Sequence, residues 1–193
     1  MSARLQSRAL GWAREDYVTS RALRRAIGVT VFAMATAFGA KVAIPLLGTP
    51  VPFTLQVVCV LMAGAVLGPR LGAASQAAYL AVGALGAPVF AVGGGLAYLL
   101  GPTGGYLLAF PAAAYAVGAI AGRSGGVARL AAGLIAGVAL IHAGGAAWLS
   151  VVTGGFDQAL LVGVGPFLAL DVAKIALVLV ISIRIRRRAL ELF

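Results

Sequence analysis

Residues 159–184 read ALLVGVGPFLALDVAKIALVLVISIR, and residues 185–188 that follow read IRRR. The run is long enough for one membrane-crossing helix, which needs about 20 mostly apolar residues. Its arginines gather at one end, as they do where a span meets the membrane surface, instead of lining a face as they would on a soluble helix. Within the run stand two ionisable side chains, Asp171 and Lys174. Placing either in hydrocarbon unpaired costs about 3 kcal/mol. Three residues apart, they share one helical face. They therefore point into a polar pocket, or they neutralise one another as a purely internal ion pair. Counting back from Arg184 at about 1.5 Å per residue puts Asp171 in the half of the span remote from the arginines.

The rest of the chain has the same character. Of 193 residues, 62% are hydrophobic and 10% charged, with a mean hydropathy of +1.04. That leaves too little polar surface for a soluble domain and far too much apolar surface for a disordered one. Five further apolar segments precede the last: about 25–44, 54–68, 71–85, 105–122 and 127–151. The expected fold is an all-α integral membrane protein of six transmembrane helices. Residues 1–24 form a basic interfacial segment in which arginines alternate with Leu, Trp and Tyr, residues 25–185 the membrane domain, and 186–193 a basic tail. A cleaved signal peptide is the competing view of the N-terminus, disfavoured by the long basic lead.

The net charge of +10 comes from 15 Lys and Arg against 5 Asp and Glu. The arginines lie at the two ends and in two short connections, Gly68-Pro69-Arg70-Leu71-Gly72 and Gly122-Arg123-Ser124-Gly125-Gly126. With six spans all of them fall on one side, which is the cytoplasm if arginine bias sets orientation, so both termini are cytoplasmic. This is a topology signal; no aromatic residues interleave with the basic ones along a groove, so nucleic acid is not an expected partner. Membrane lipid is.

The connections on the other side are unusual. Residues 45–53 carry Pro45, Pro50 and Pro52, and residues 86–104 are rich in glycine yet largely apolar. Neither can form a long regular helix. Lipid does not tolerate unpaired backbone groups, so both loops should fold over protein or line a cavity, as lids.

Several polar side chains on the spans need partners for the same reason: Thr54 and Gln56 at the start of the second, Gln76 and Tyr79 on the third, and Tyr98 and Tyr106 around Gly101-Pro102-Thr103-Gly104-Gly105. Lys41 is explained by snorkelling, His142 by a polar contact between helices, and the single cysteine, Cys59, by core packing. Small-residue pairs at Ala33/Ala37, Gly64/Gly68, Gly118/Gly122 and Gly133/Gly137 permit close helix approach; Ala33/Ala37 could instead face a membrane partner. No arrangement of nucleophile and base, no metal-ligand spacing and no phosphate loop ending in Gly-Lys-Ser/Thr is present, so catalysis, a metal site and ATP hydrolysis by this chain are not expected.

Four motifs, Pro50-Val51-Pro52-Phe53-Thr54-Leu55-Gln56, Leu67-Gly68-Pro69-Arg70-Leu71-Gly72, Gly86-Ala87-Pro88-Val89-Phe90-Ala91 and Gly101-Pro102-Thr103-Gly104-Gly105-Tyr106, stand in this order with these spacings. In them the sequence resembles the BioY family of biotin transporters, the substrate-binding S components of energy-coupling factor transporters. The likeness runs from the first span to Asp171-Val172-Ala173-Lys174. Ala87 stands where Leu is common in that family, and Arg70 where Lys is common. The resemblance implies a six-helix S-component fold with biotin near the outer face beneath the two loops. It places the polar site at Asp171 and Lys174, with Thr54, Gln56, Tyr79, Phe90, Gly94 and Tyr106 around the ligand. It also implies a separate module of two ATP-binding subunits and a transmembrane coupling subunit, for which Ala33 and Ala37 are the candidate contact, and no cofactor in this chain. An S component for another vitamin, or an autonomous secondary transporter using Asp171 and Lys174, are the alternatives.

Overall fold

A computed structural model describes the backbone of residues 2–123 and 125–192, and the side chains of residues 20–123 and 125–186. Each of the six apolar segments contains a helix. Helix α1 (Ser2–Lys41) leads into a small antiparallel pair, β1 (Ala43–Ile44) and β2 (Phe53–Thr54); then follow α2 (Gln56–Leu67), α3 (Pro69–Ala84), the single turn α4 (Leu96–Leu99), α5 (Gly104–Ala121), α6 (Val127–Thr153), α7 (Phe156–Gly163) and α8 (Leu168–Leu192). Among the described residues four stretches are long and apolar enough to cross a membrane: Ser20–Lys41, Gly104–Ala121, Val127–Thr153 and Phe156–Arg186. Large apolar side chains such as Ile27, Val31, Met34 and Phe38 on α1 lie exposed. A water-soluble monomer does not tolerate so continuous a patch; a lipid-facing surface requires it.

The last segment departs from expectation. The single helix expected over 159–184 is broken by a 3-10 turn at Gly165–Phe167. Pro166 supplies no N–H for the helical bond back to the carbonyl of Val162. The break frees the carbonyl of Gly163, and the Tyr106 hydroxyl, reaching across from α5, donates to it at 2.8 Å. A broken helix is tolerated at membrane depth when a neighbour satisfies the freed group in this way.

The connection between α2 and α3 is shorter than expected. Gly68 alone joins them, at φ +79°, and Pro69 already opens α3, where its missing N–H costs nothing. The expected small-residue pairs divide their work. Gly64 and Gly118 sit at helix crossings: a Cβ on Gly64 would strike the Ala114 carbonyl and Val117, and one on Gly118 would strike Pro69. Their partners Gly68 and Gly122 take positive φ and end α2 and α5, each N–H bonding back four residues at 3.1 Å.

Both non-helical loops fold over protein. The proline loop is closed at its base by pairing of Ala43 with Thr54 and Ile44 with Phe53. In the glycine-rich loop Phe90 is fully buried, its ring stacked on Tyr98 at 5.0 Å and edge-on to Tyr79 at 5.5 Å. Lys41 does more than snorkel: its ammonium donates to the Phe90 carbonyl at 2.7 Å, tying the end of α1 to this loop. Ala33 and Ala37 are half-buried and pack on one side against the cluster containing Val60, Tyr79 and Phe110.

Candidate functional site

Beneath the two loops, between α2, α5, α6 and α8, the structure leaves a pocket lined by seventeen residues from these elements and the loops. Its cavity volume is about 60 Å³. Its wall is mostly apolar, from Val51, Pro52, Val57, Leu107, Phe110, Ile141 and Phe167. Such a wall with a few convergent polar groups is the usual build of a small-molecule site.

The polar groups converge on Asp171, one turn past the break in the last span. Lys174 donates to its Oδ1 at 3.0 Å, and His142, from α6, meets its Oδ2 through Nε2 at 2.5 Å. Asp171 and Lys174 are 4% and 6% exposed, so the charges are withdrawn from water and held by each other and by His142. The Lys174 ammonium also lies 4.5 Å from the centre of the Phe53 ring, a cation–π contact that fixes its position. A carboxylate has about four acceptor sites and an ammonium three donors, so the cluster retains hydrogen-bonding capacity for a ligand. His142 Nδ1 is buried with no partner among the described residues. An orphaned buried polar atom at the edge of a pocket is rare in folded proteins, and a ligand that reaches it removes the cost.

A second polar chain runs from β2 through α2 to α3. Thr54 donates to Gln56 Oε1 at 3.1 Å, the Gln56 amide donates to the Tyr79 hydroxyl at 2.6 Å, and that hydroxyl donates to the Val89 carbonyl at 3.3 Å. This fixes which way Gln56 presents its amide and links the pocket to the loop that covers it. Thr54, Gln56, Tyr106, Asp171 and Lys174 thus all line the pocket. Tyr79, Phe90 and Gly94 do not. Tyr79 positions Gln56 from behind, Phe90 packs over Gly83, and Gly94 lies so close to the Ala87 carbonyl that no side chain fits there. Gln76 is turned away, bonded to Thr36 and Ser75 between α1 and α3. His142 is the residue that sequence reasoning left out of the site: it lies 29 positions from Asp171 on another helix, and no motif marks it.

The family model described as the BioY family matches residues 10–191. The chain belongs to the BioY family. Among curated BioY proteins, a probable biotin transporter BioY of Pyrococcus horikoshii is 43% identical over 82% of this chain and 93% of its own length. The biotin transporter BioY of Thermotoga maritima is 36% identical over 88% and 99%. A crystal structure of the S-component for biotin from an ECF-type ABC transporter superposes with a TM-score of 0.76 at 26% identity, covering 97% of this chain and 95% of that one. The BioY chain is accordingly a multi-pass membrane protein of a transporter family with the S-component fold.

Proposed function

We propose that this chain captures biotin for uptake, as the substrate-specific subunit of an energy-coupling factor transporter in the cell membrane. Six spans with both termini in the cytoplasm complete the arrangement, and ATP is hydrolysed by partner subunits. The observation that carries the reading is the buried cluster of Asp171, Lys174 and His142 facing an apolar pocket under two loops. The ureido ring of biotin offers two N–H donors and one carbonyl. Asp171 accepts from the ring N–H groups, Lys174 donates to the carbonyl, and the apolar wall takes the thiophane ring and the tail. Tyr106 and the pair Thr54 and Gln56 define the sides, while Tyr79, Phe90 and Gly94 hold the lid and Gln56 in place from outside the pocket.

His142 orients the Asp171 carboxylate. Replacing it with leucine removes one hydrogen bond to that carboxylate, about 1 kcal/mol, and should weaken biotin binding about fivefold. Isothermal titration of the purified variant reads this directly, and unchanged affinity would detach His142 from the site.

Contact with a coupling subunit falls to α1. Ala33 and Ala37 lie at the margin of its exposed apolar face, and both retain partial exposure beside Met34 and Phe38. Ala37→Leu is expected to keep biotin binding and to lose co-purification with the coupling subunit. Joint loss of both properties would indicate a purely internal packing role. The test of the function as a whole is uptake of labelled biotin by biotin-requiring cells producing this chain with and without a coupling module. Uptake that needs ATP supports the reading; uptake that collapses with the proton gradient but survives loss of ATP would make the chain a secondary transporter.

A further inference from the structure

A second and larger cavity, of about 470 Å³, opens at the arginine-bearing end of the bundle and shares no lining residue with the first. Arg25 of α1, Arg70 at the start of α3, Arg123 after α5 and Arg186 of α8 all line it, and among the described residues its lining holds no carboxylate. Gly64, Gly68, Gly118 and Gly122 also line it, and a Cβ on Gly68 would meet nothing within 4 Å.

Arg186 is the structural member. It is 8% exposed, and its guanidinium donates through Nε to the Ala65 carbonyl at 3.1 Å, through Nη1 to that of Gly125 at 3.3 Å, and through Nη2 to that of Gly122. These bonds tie α2, the α5–α6 turn and α8 around the cavity. Arg25, Arg70 and Arg123 are exposed. The first turn of α3 also lines the space, and its Gly68 cap provides no side chain to meet the free N–H groups of that turn. Four guanidinium groups and a helix N-terminus around a void form a strongly anion-seeking site, and the planar fork of arginine suits phosphate oxygens in particular.

Depth selects the source of the anion. Arg25 and Arg186 stand where the arginine clusters Arg21-Ala22-Leu23-Arg24-Arg25 and Arg184-Ile185-Arg186 meet the apolar runs of α1 and α8, the pattern of a boundary between hydrocarbon and headgroups. Exposed apolar residues lie within one turn of both: Leu23 and Ile27 beside Arg25, and Ile183 and Ile185 beside Arg186. Basic pockets between spanning helices on the arginine-rich side are suited to anionic lipid headgroups. We propose that this cavity binds the phosphate of an anionic lipid from the adjacent leaflet, held by Arg25, Arg70 and Arg123 against the start of α3, with the acyl chains along the neighbouring apolar residues.

The experiment is native mass spectrometry of the full chain in neutral detergent, titrated with phosphatidylglycerol, with phosphatidylcholine, or with phosphatidylglycerol in the presence of millimolar inorganic phosphate. Saturable binding of one phosphatidylglycerol, at least about tenfold tighter than phosphatidylcholine and unaffected by inorganic phosphate, is the expected result. At about fivefold per arginine, Arg25→Gln with Arg70→Gln should weaken it about 25-fold. Arg24→Gln with Arg184→Gln, which removes the same charge outside the cavity, should change it less than about twofold. Equal losses in the two double variants would overturn the site in favour of general attraction to a charged surface. Equal binding of the two lipids, or displacement by inorganic phosphate, would overturn the lipid assignment. Absence of saturable binding would also overturn it and leave the arginines to acidic side chains of a partner subunit. The comparison of the two lipids on the unaltered chain decides even if a variant loses helix content.

Discussion

Asp171→Asn is expected to weaken biotin binding at least about tenfold, because it leaves a buried donor without its charged acceptor, a loss of about 1–3 kcal/mol or more. Asn keeps the size of the side chain, so the pocket keeps its shape, but its amide nitrogen cannot accept from a ureido N–H. It also leaves the Lys174 ammonium, which now rests on Asp171 Oδ1 at 3.0 Å, without a counter-charge. Lys174→Ala should cost as much by the opposite route: the ring carbonyl loses its donor and Asp171 keeps only His142. Because the two residues touch, their effects should not add; the double variant should bind little worse than the weaker single one. Titration calorimetry of the three variants, with thermal midpoints to establish folding, checks this. Unchanged affinity in both single variants would remove the pair from the site.

Gly64→Val should be the most damaging substitution outside the pocket. The glycine lets α2 touch α5 backbone to backbone: an added Cβ would run into the Ala114 carbonyl and come within 2.8 Å of Val117 Cβ, and Gly72 of α3 packs on the same spot. Neither helix can yield without moving the turn at Gly68 and the crossing at Gly118. Overpacking of this kind costs about 1–3 kcal/mol. At roughly 2–4 °C per kcal/mol, the thermal midpoint in detergent should fall by about 5 °C. Gly126→Ala is the control, since nothing lies within 4 Å of its added Cβ and its φ is −71°. Equal midpoints for the two variants would contradict the close crossing.

The class of fold and the polar pair were legible because both rest on hydrocarbon chemistry. A charge-poor run ending in arginines has few soluble solutions, and Asp171 and Lys174 share a helix face by spacing alone. What the sequence concealed came from contacts between distant segments. His142 reads as an ordinary interhelical polar residue until α6 brings it to Asp171. Tyr79 and Phe90 carry the residue types of a binding wall, yet one turns its hydroxyl to Gln56 and the other its ring to Gly83, so both support the pocket from outside it. The break at Gly165–Phe167 had a local signal in Pro166, but the high apolarity of residues 159–184 masked it. The hairpin pairing of two residues on each side of the proline loop is too short to leave any alternation in the sequence.

The most direct measurement is equilibrium binding of biotin to the purified chain alone in detergent, with desthiobiotin and thiamine as competitors. Tight binding at a single site, displaced by desthiobiotin through its shared ureido ring and unaffected by thiamine, is the predicted result. A folded sample that binds no biotin, or that thiamine empties, would contradict the assignment of this pocket to biotin.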